Sequence, residues 1–490
     1  GKTRMKPFSV VLGQFGSYFL VLMGMTGCML GPDFQKPNVP QVKGYTAKPL
    51  RSSTVSAKTL AGAKQAFRTA QDIPAQWWTV FQSKPLEKLI TMALQHNPDI
   101  KSANATLKAA HENRLAQQST LFPYVQGNFF PTRQLTAGTL ASNLANNDYL
   151  YSLQTTQLSI AYTPDVFGLN RRQIESFKAY EELMCYEKEA VYLTIASNVA
   201  FTAIQEASLR AEIKATQESI RIAQQLLNVL VKEQALGQLG SEAIVAQEAY
   251  LAQVKSGLPP LEKQLIQTRN RLTVLCGRFP SEILTEEFTL ASFKLPDNLP
   301  VSLPSQLLEQ RPDIRAAEAR LHVASAQIGV AIANRLPNVD LNLYGGTNPL
   351  TLATLFATGT GYWGAGANFV GTLFDYGALL HKQRAAVAAY EISDAQYRST
   401  VLSAFQSVAD TLSAIELDAK TLKISFEAQS AAAKNLDIAK KQFTLGAGDY
   451  LAVLNAELVY QQASISLSQS QAARFADSVA LFYALGGGWS

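Results

Sequence analysis

The sequence predicts an α+β membrane protein that contains an internal duplication. Three observations indicate this fold class: two halves that repeat each other, apolar residues at coiled-coil spacing, and short segments in which apolar and polar residues alternate. Hydrophobic residues make up 47 % of the 490 residues and charged residues only 17 %, a balance typical of closely packed helices and not of a disordered chain. Lys and Arg are interleaved with Asp and Glu and form no basic block, so nucleic-acid binding is not predicted.

The amino terminus has the organisation of a bacterial secretion signal. Basic residues precede an apolar run at 8–25, which ends in small residues before Cys28. This order predicts a signal peptide at residues 1–27. The small residues before Cys28 are similar to a lipobox, which predicts a covalent lipid on this cysteine as the first mature residue. Met29 in place of Asp then favours the outer membrane, while an ordinary signal peptide with an incidental cysteine is the alternative.

Two halves of the chain repeat each other at a nearly constant offset. Pro98-Asp99-Ile100 recurs as Pro312-Asp313-Ile314, and Leu236-Gly237 recurs as Leu445-Gly446. Each half therefore predicts one supersecondary unit, made of a helix, a strand pair and a long helical hairpin. The predicted boundaries are 28–85 for a lipidated extended segment, 86–280 for the first repeat, 281–303 for a linker and 304–488 for the second repeat.

The predicted hairpin helices have the 3.5-residue period of supercoiled helices. From Val401 to Phe426, large apolar residues and Ala419 follow one another in steps of four and three. Gly and Pro are absent from about Arg384 to Leu445, and one helix of roughly 60 residues would extend about 90 Å. The first half has a similar stretch from about Arg172 to Leu236. Pro259-Pro260 interrupts the following helix and predicts a kink or a restart there.

The strand segments alternate with a period of two. Val339, Leu341 and Leu343 are separated by polar residues, and 362–373 shows the same pattern. This predicts β-hairpins at about 336–376 and, less clearly, at about 121–166, with one apolar and one polar face. Four strands are too few to close a membrane barrel, so several chains must pool their strands, and three chains would supply twelve.

No catalytic or metal-binding pattern accompanies these elements. The four histidines have no metal-ligand spacing with one another or with the cysteines. Residues 359–364 match the consensus sequence of a dinucleotide-binding fingerprint, but they precede a predicted strand and not a helix. The sequence therefore predicts no enzyme, no metal and no cofactor other than the lipid on Cys28.

Motifs along most of the chain resemble those of one family. They are Asn97-Pro98-Asp99-Ile100, Asp165-Val166-Phe167-Gly168, Leu258-Pro259-Pro260-Leu261, Phe374-Asp375-Tyr376-Gly377 and Leu445-Gly446-Ala447-Gly448-Asp449-Tyr450-Leu451. In order and spacing, the chain resembles the TolC-type outer-membrane factors, in particular their lipoprotein branch.

The resemblance implies a homotrimer with a twelve-stranded β-barrel in the outer membrane, four strands per chain. It also implies a long α-helical coiled-coil barrel that lies in the periplasm. The partners implied are a periplasmic adaptor and an inner-membrane pump of the RND type, and the function is a passive exit duct for drugs and toxic small molecules. The alternatives are a type I protein-secretion duct of the same architecture and a surface coiled coil or adhesin without a pore.

The resemblance and the hairpin geometry together place the functional residues at the hairpin tips. Asp449 is predicted to line a periplasmic gate, because threefold symmetry would place three carboxylates around one axis. Tyr450 and Leu451 are predicted as apolar plugs beside it, and a helix cap is the alternative role of Asp449. The predicted docking residues for adaptor and pump are Gly237, Gln238, Gly240, Ser241, Gly446 and Gly448.

Overall fold

The structure is a computed structural model that describes residues 29–488 except 43, 48, 50, 70 and 72. The predicted signal peptide and Cys28 lie outside the described residues. The α-helices are α1 (Lys84–His96), α2 (Pro98–Gln118), α3 (Leu169–Ala235), α4 (Ser241–Ser256), α5 (Leu258–Leu275), α6 (Pro304–Gln310), α7 (Pro312–Ala333), α8 (Ala378–Thr444) and α9 (Tyr450–Ala484). The strands are β1 (Ala66–Thr69), β2 (Tyr124–Leu135), β3 (Leu150–Tyr162), β4 (Asn298–Val301), β5 (Asn338–Thr347) and β6 (Gly361–Val370).

The two halves of the chain have the same order of elements. In the first half, α2 is followed by the strand pair β2 and β3, then by α3 and by the shorter helices α4 and α5. In the second half, α7, β5, β6, α8 and α9 follow in the same order. Helices α3 and α8 each contain 67 residues and begin a few residues earlier than the sequence predicts. The structure confirms the α+β fold class.

The described residues form two compact units, of which the first comprises 29–36, 108–182 and 318–396. Its centre is an antiparallel sheet with the strand order β2-β3-β5-β6. Rows of paired residues cross this sheet, and residues of one row lie on one face. The row Val125, Ile160, Leu343 and Ala365 is apolar.

The opposite face of the sheet is polar. The neighbouring row contains Gln126, Ser159, Tyr344 and Gly364, and the ring of Tyr344 occupies the space beside Gly364 that a side chain would fill. On the same face, Tyr362 Oη donates a hydrogen bond to Gln157 Oε1 at 2.9 Å. The predicted alternation of apolar and polar faces is therefore present where β2 and β3 lie beside β5 and β6. Farther along β2 and β3 it breaks down, because Phe130 and Leu153 lie on the otherwise polar face and Arg133 lies on the apolar face.

The second unit comprises 37–107, 183–317 and 397–488. Its largest apolar core packs α1, the middle of α3 and the end of α9 around Trp77, whose ring stacks on Phe482 with centroids 5.6 Å apart. Parallel strands β1 and β4 pair beside a second core. Helix α4 ends at Ser256 and α5 begins at Leu258, so Pro259 and Pro260 lie in a first turn, where the missing N–H is harmless. The predicted restart is confirmed.

Among the residues that the structure describes, no helix is both long enough and apolar enough to cross a membrane.

Candidate functional site at the hairpin tips

Two turns of the second unit close the helical hairpins in the same way. The first tip joins α3 to α4 and the second tip joins α8 to α9. Gly237 and Gly446 have φ angles of 73° and 70°, a left-handed conformation that favours glycine. In each tip, the N–H after the glycine donates to a carbonyl five residues earlier, which is the Schellman arrangement that ends a helix.

The predicted docking residues are grouped at these two turns. Gly237, Gln238, Gly240, Ser241 and Gly446 are exposed, and Gly448 is half-buried. A side chain added to Gly237 or Gly446 would meet open space, so these glycines serve the turn and not a tight contact. Among these residues, Ser241 is held by a side-chain hydrogen bond, because its Oγ accepts from Gln234 Nε2 at 2.9 Å. Each tip therefore presents small and polar residues to solvent together with one exposed leucine, which is Leu236 in the first tip and Leu445 in the second.

Asp449 caps helix α9. Its backbone is extended, and its Oδ1 accepts a hydrogen bond from the backbone N–H of Ala452 at 3.1 Å. Its exposed carboxylate also lies at the positive end of the helix dipole, which stabilises a negative charge. The alternative role that the sequence left open for Asp449, a helix cap, is therefore present in the chain.

Tyr450, which the sequence predicts as an apolar plug, is a buried residue in this chain. Its side chain is only 7 % exposed and packs in an apolar cluster that includes Leu230, Phe443 and Val453. Leu451, by contrast, is 59 % exposed. The reason is the period of the helix, because successive residues point about 100° apart and two neighbours cannot both face the same space.

A buried polar network, which the sequence patterns did not predict, joins helices α3, α4 and α9 close to the tips. Tyr450 Oη donates to Gln247 Oε1 at 2.8 Å. Gln247 Nε2 in turn donates to the carbonyl of Ala223 at 3.0 Å and to Glu457 Oε2 at 3.3 Å. The network thus links α3 and α4 of the first hairpin to α9 of the second.

A signal for this network was present in the sequence. Gln247 occurs four residues before Leu251 and seven before Val254, both of which are buried with it. It therefore occupies a core position of the heptad pattern, where a polar side chain is costly unless it is paired. Polar residues at such positions indicate specific contacts across a bundle.

The ionisable groups of the network have pKa values that differ from their ordinary ones. Glu457 is 3 % exposed, and burial raises the pKa of its carboxyl group, opposed by the Gln247 hydrogen bond and the nearby charge of Lys440. Lys440 Nζ lies 3.8 Å from Glu457 Oε1, and burial lowers the pKa of this lysine. Burial also raises the pKa of Tyr450 to about 12. Burial therefore favours the neutral form of both Glu457 and Lys440.

The tips contain no arrangement suited to a metal ion. Across the described part of the chain, no three or more His, Cys, Asp or Glu side chains come close enough together to hold one.

Known proteins match this chain over most of its length. The family described as outer membrane efflux protein matches residues 89–278 and 303–487. The chain is 29 % identical over 424 residues to the pyoverdine export outer membrane protein OpmQ of Pseudomonas putida, covering 86 % of this chain and 90 % of that protein. It is 27 % identical over 482 residues to the cation efflux system protein CusC of Escherichia coli O6:H1, covering 96 % and 98 %.

The fold has a counterpart among solved structures. The structure of the outer-membrane channel OprN superimposes with a TM-score of 0.83 at 24 % identity, and the match covers 94 % of this chain and 100 % of that chain. The family match extends over both halves of the sequence and includes the helices of both tips. The chain belongs to the outer membrane efflux protein family.

Proposed function

We propose that the chain is the passive outer-membrane exit channel of a tripartite efflux system and that three copies form the pore. Members of the family are outer-membrane channels and not enzymes. The observation that carries the proposal for this chain is its sheet, which has one apolar face, one polar face and two unpaired edges.

The unpaired edges support pooling of strands between copies. β2 pairs only with β3 and β6 pairs only with β5 among the described strands, which leaves one edge of each open. Edge groups in lipid have no water to bond, so every edge of a membrane sheet must find a strand. If β2 of one copy pairs with β6 of the next, three copies close a twelve-stranded barrel with the apolar face towards lipid.

A lipid anchor accompanies the barrel in this proposal. Cys28 follows small residues and an apolar run, as a lipidated cysteine does. Met29 stands in place of Asp at the next position, which favours export to the outer membrane. We expect acylated Cys28 as the first residue of the mature chain.

The tips are proposed to bind the periplasmic adaptor and the inner-membrane pump, which we expect to be of the RND type. The exposed turn residues at 237–241 and 446–448 are accessible to a partner. The gate is proposed to involve Asp449 and Leu451, both exposed at the start of α9. Tyr450 is better suited to fixing α9 against the first hairpin than to plugging the pore, because its ring is buried.

The cargo is proposed to be small molecules and ions. OpmQ is named for pyoverdine export and CusC for cation efflux. These relatives favour small solutes over the alternative cargo, secreted proteins. A surface coiled coil without a pore is disfavoured, because a protein of that class would not need a sheet with one apolar and one polar face.

The experiment that tests the proposal combines conductance with drug tolerance. Purified protein reconstituted in planar bilayers should conduct, and a deletion strain should lose tolerance to drugs or toxic ions while an adaptor co-purifies with the trimer. A monomer without conductance would contradict the channel. Loss of protein secretion with unchanged drug tolerance would instead support the type I duct.

A further inference from the structure

The amino-terminal segment of the first unit is bound by a buried arginine. The side chain of Arg172, in the first turn of α3, is only 1 % exposed. Its Nε donates to the carbonyl of Leu30 at 2.8 Å, and its Nη2 donates to the carbonyl of Gly31 at 2.9 Å and to Asp33 Oδ1 at 3.0 Å. Three of its acceptors therefore belong to a segment about 140 residues away in sequence.

The fourth acceptor of this arginine comes from its own helix. Arg172 Nη1 donates to Glu175 Oε2 at 2.7 Å. A buried guanidinium is stable only when its donors are satisfied. Without residues 30–33, Arg172 would lose three of its four acceptors, so the stability of this site depends on the presence of that segment.

Two glycines allow the segment to approach this closely. Gly31 has a φ of +95°, and a Cβ on it would lie 2.5 Å from the Cα of Gly329 in α7. A Cβ on Gly329 would lie 2.8 Å from Arg172 Cδ. Any larger residue at either position would push the segment away from the arginine.

Aromatic and ionic contacts continue the binding site beyond Gly31. The Phe34 ring stacks on His322 with centroids 4.3 Å apart and an interplanar angle of 10°. His322 Nε2 lies 3.0 Å from Glu175 Oε1, so the same carboxylate orients the arginine and the histidine. We call Arg172, Glu175, His322 and Gly329 the amino-terminal cradle.

We propose that the amino-terminal cradle is an internal receptor that fixes the lipid anchor beside the base of the sheet. The inference rests on the proposed acylation of Cys28. Only Met29 separates Cys28 from the bound Leu30, and two residues span at most about 7 Å. Met29 itself contacts Gly168, in the turn that joins β3 to α3.

This arrangement gives the segment a role in assembly. Because the anchor and the turn that follows β3 are held together, insertion of the acyl chains brings the sheet to a fixed depth. Acylation alone is then not sufficient, since an anchor on a detached segment would leave the sheet free to sample other depths. The cradle, and not only the lipid, supports assembly of the pore.

The test uses Gly31→Ala in the full chain, with Gly44→Ala as the matched control. A side chain at Gly44 would meet nothing within 4 Å. Three quantities are measured in cells and in purified membranes: the acyl group on the amino-terminal peptide by mass, hydrogen exchange of residues 30–36, and the fraction of chain in assembled trimers. We expect Gly31→Ala to be acylated normally, to lose protection of residues 30–36, and to assemble several-fold less than Gly44→Ala.

The remaining outcomes each overturn the inference in a different way. Normal assembly of acylated Gly31→Ala would remove the cradle's role and leave the channel proposal intact. Poor assembly together with a missing acyl group would assign the defect to processing and not to the cradle. If the wild-type chain is not acylated, the proposed lipid anchor does not exist, and the conductance measurement still tests the channel proposal separately.

A second variant covers the case in which Gly31→Ala is degraded. Asp33→Asn keeps the shape of an exposed side chain but removes its charge from Arg172 Nη2. We expect a smaller loss of protection at residues 30–36 and a proportionally smaller loss of trimers. Unchanged exchange in this variant together with normal assembly would count against the cradle.

Discussion

The amino-terminal cradle and the network behind the tips are both buried polar sites, but they differ in how completely their charges are paired. In the cradle, Arg172 has four acceptors between 2.7 and 3.0 Å. At the tips, Glu457 Oε1 is buried without a hydrogen-bond partner, and Lys440 Nζ is 3.8 Å away. A satisfied network holds one geometry, whereas a partly satisfied one costs free energy that a rearrangement can recover.

The difference agrees with the roles proposed for the two regions. An anchor has to keep one position in the membrane, so its charge is enclosed and paired. A channel end that opens has to leave its closed state at a modest cost. In this proposal, the incomplete pairing of Glu457 would keep the two hairpins joined while leaving them able to separate.

The largest expected effect is in the cradle. Arg172→Leu removes a buried partner from Glu175 and leaves the carbonyls of Leu30 and Gly31 without their donor. We expect a loss of about 3–5 kcal/mol in stability, because several acceptors lose their donor at once and each one that is buried costs about 1–3 kcal/mol. Thermal unfolding followed by circular dichroism measures it, with exposed Arg278→Leu as the control. Equal unfolding temperatures for both variants would contradict the assigned importance of Arg172.

A smaller loss is expected from Tyr450→Phe at the tips. The variant keeps the ring in its apolar cluster but removes the hydrogen bond to Gln247 Oε1. A buried acceptor left without a donor costs about 1–3 kcal/mol. We expect faster hydrogen exchange around residues 447–457 and a higher basal conductance. A variant with wild-type exchange and conductance would show that this hydrogen bond does not hold the tips.

The pH dependence of the tips tests Glu457. Burial raises the pKa of Glu457 in the folded tip above its unfolded value, so the folded tip binds the proton more tightly. The stability of the tip then rises as pH falls between these two pKa values and decreases as pH rises through the folded value. We expect wild-type basal conductance to decrease as pH falls through the folded pKa of Glu457.

Glu457→Gln provides the matched variant for that titration. It keeps an amide that can bond Gln247 but has no charge to bury, so we expect it to stabilise the closed tip by on the order of 1 kcal/mol at a pH where Glu457 is ionised. Its conductance should no longer depend on pH in this range. An unchanged pH profile in Glu457→Gln would assign the dependence to another group.

The smallest expected change in stability separates the two roles of Asp449. Asp449→Ala removes both the cap on Ala452 and the charge, and loss of a cap costs about 1 kcal/mol or less at an exposed tip. Asp449→Asn keeps a capping oxygen and removes only the charge. If three carboxylates shape the gate, both variants raise the leak in bilayer recordings. A leak in Asp449→Ala but not in Asp449→Asn would show that Asp449 acts only as a helix cap.

The sequence by itself determined the long helices, the four strands of the antiparallel sheet and the hairpin turns, but it did not predict the short parallel strands β1 and β4. Alternation along 338–343 predicted the faces of the sheet, Pro259-Pro260 predicted the restart of a helix, and Leu236-Gly237 and Leu445-Gly446 marked the tips. These features are local, because the side-chain periods of two and 3.5 residues and the φ preferences of Gly and Pro act within a few residues.

The tertiary structure alone decided which distant residues meet. Glu457 lies beside Gln247, 210 residues away, and Arg172 binds Gly31, 141 residues away. It also turned Tyr450 inwards and Leu451 outwards. A sequence period specifies that a position is buried but not which partner buries it, because that choice depends on how whole helices pack against one another.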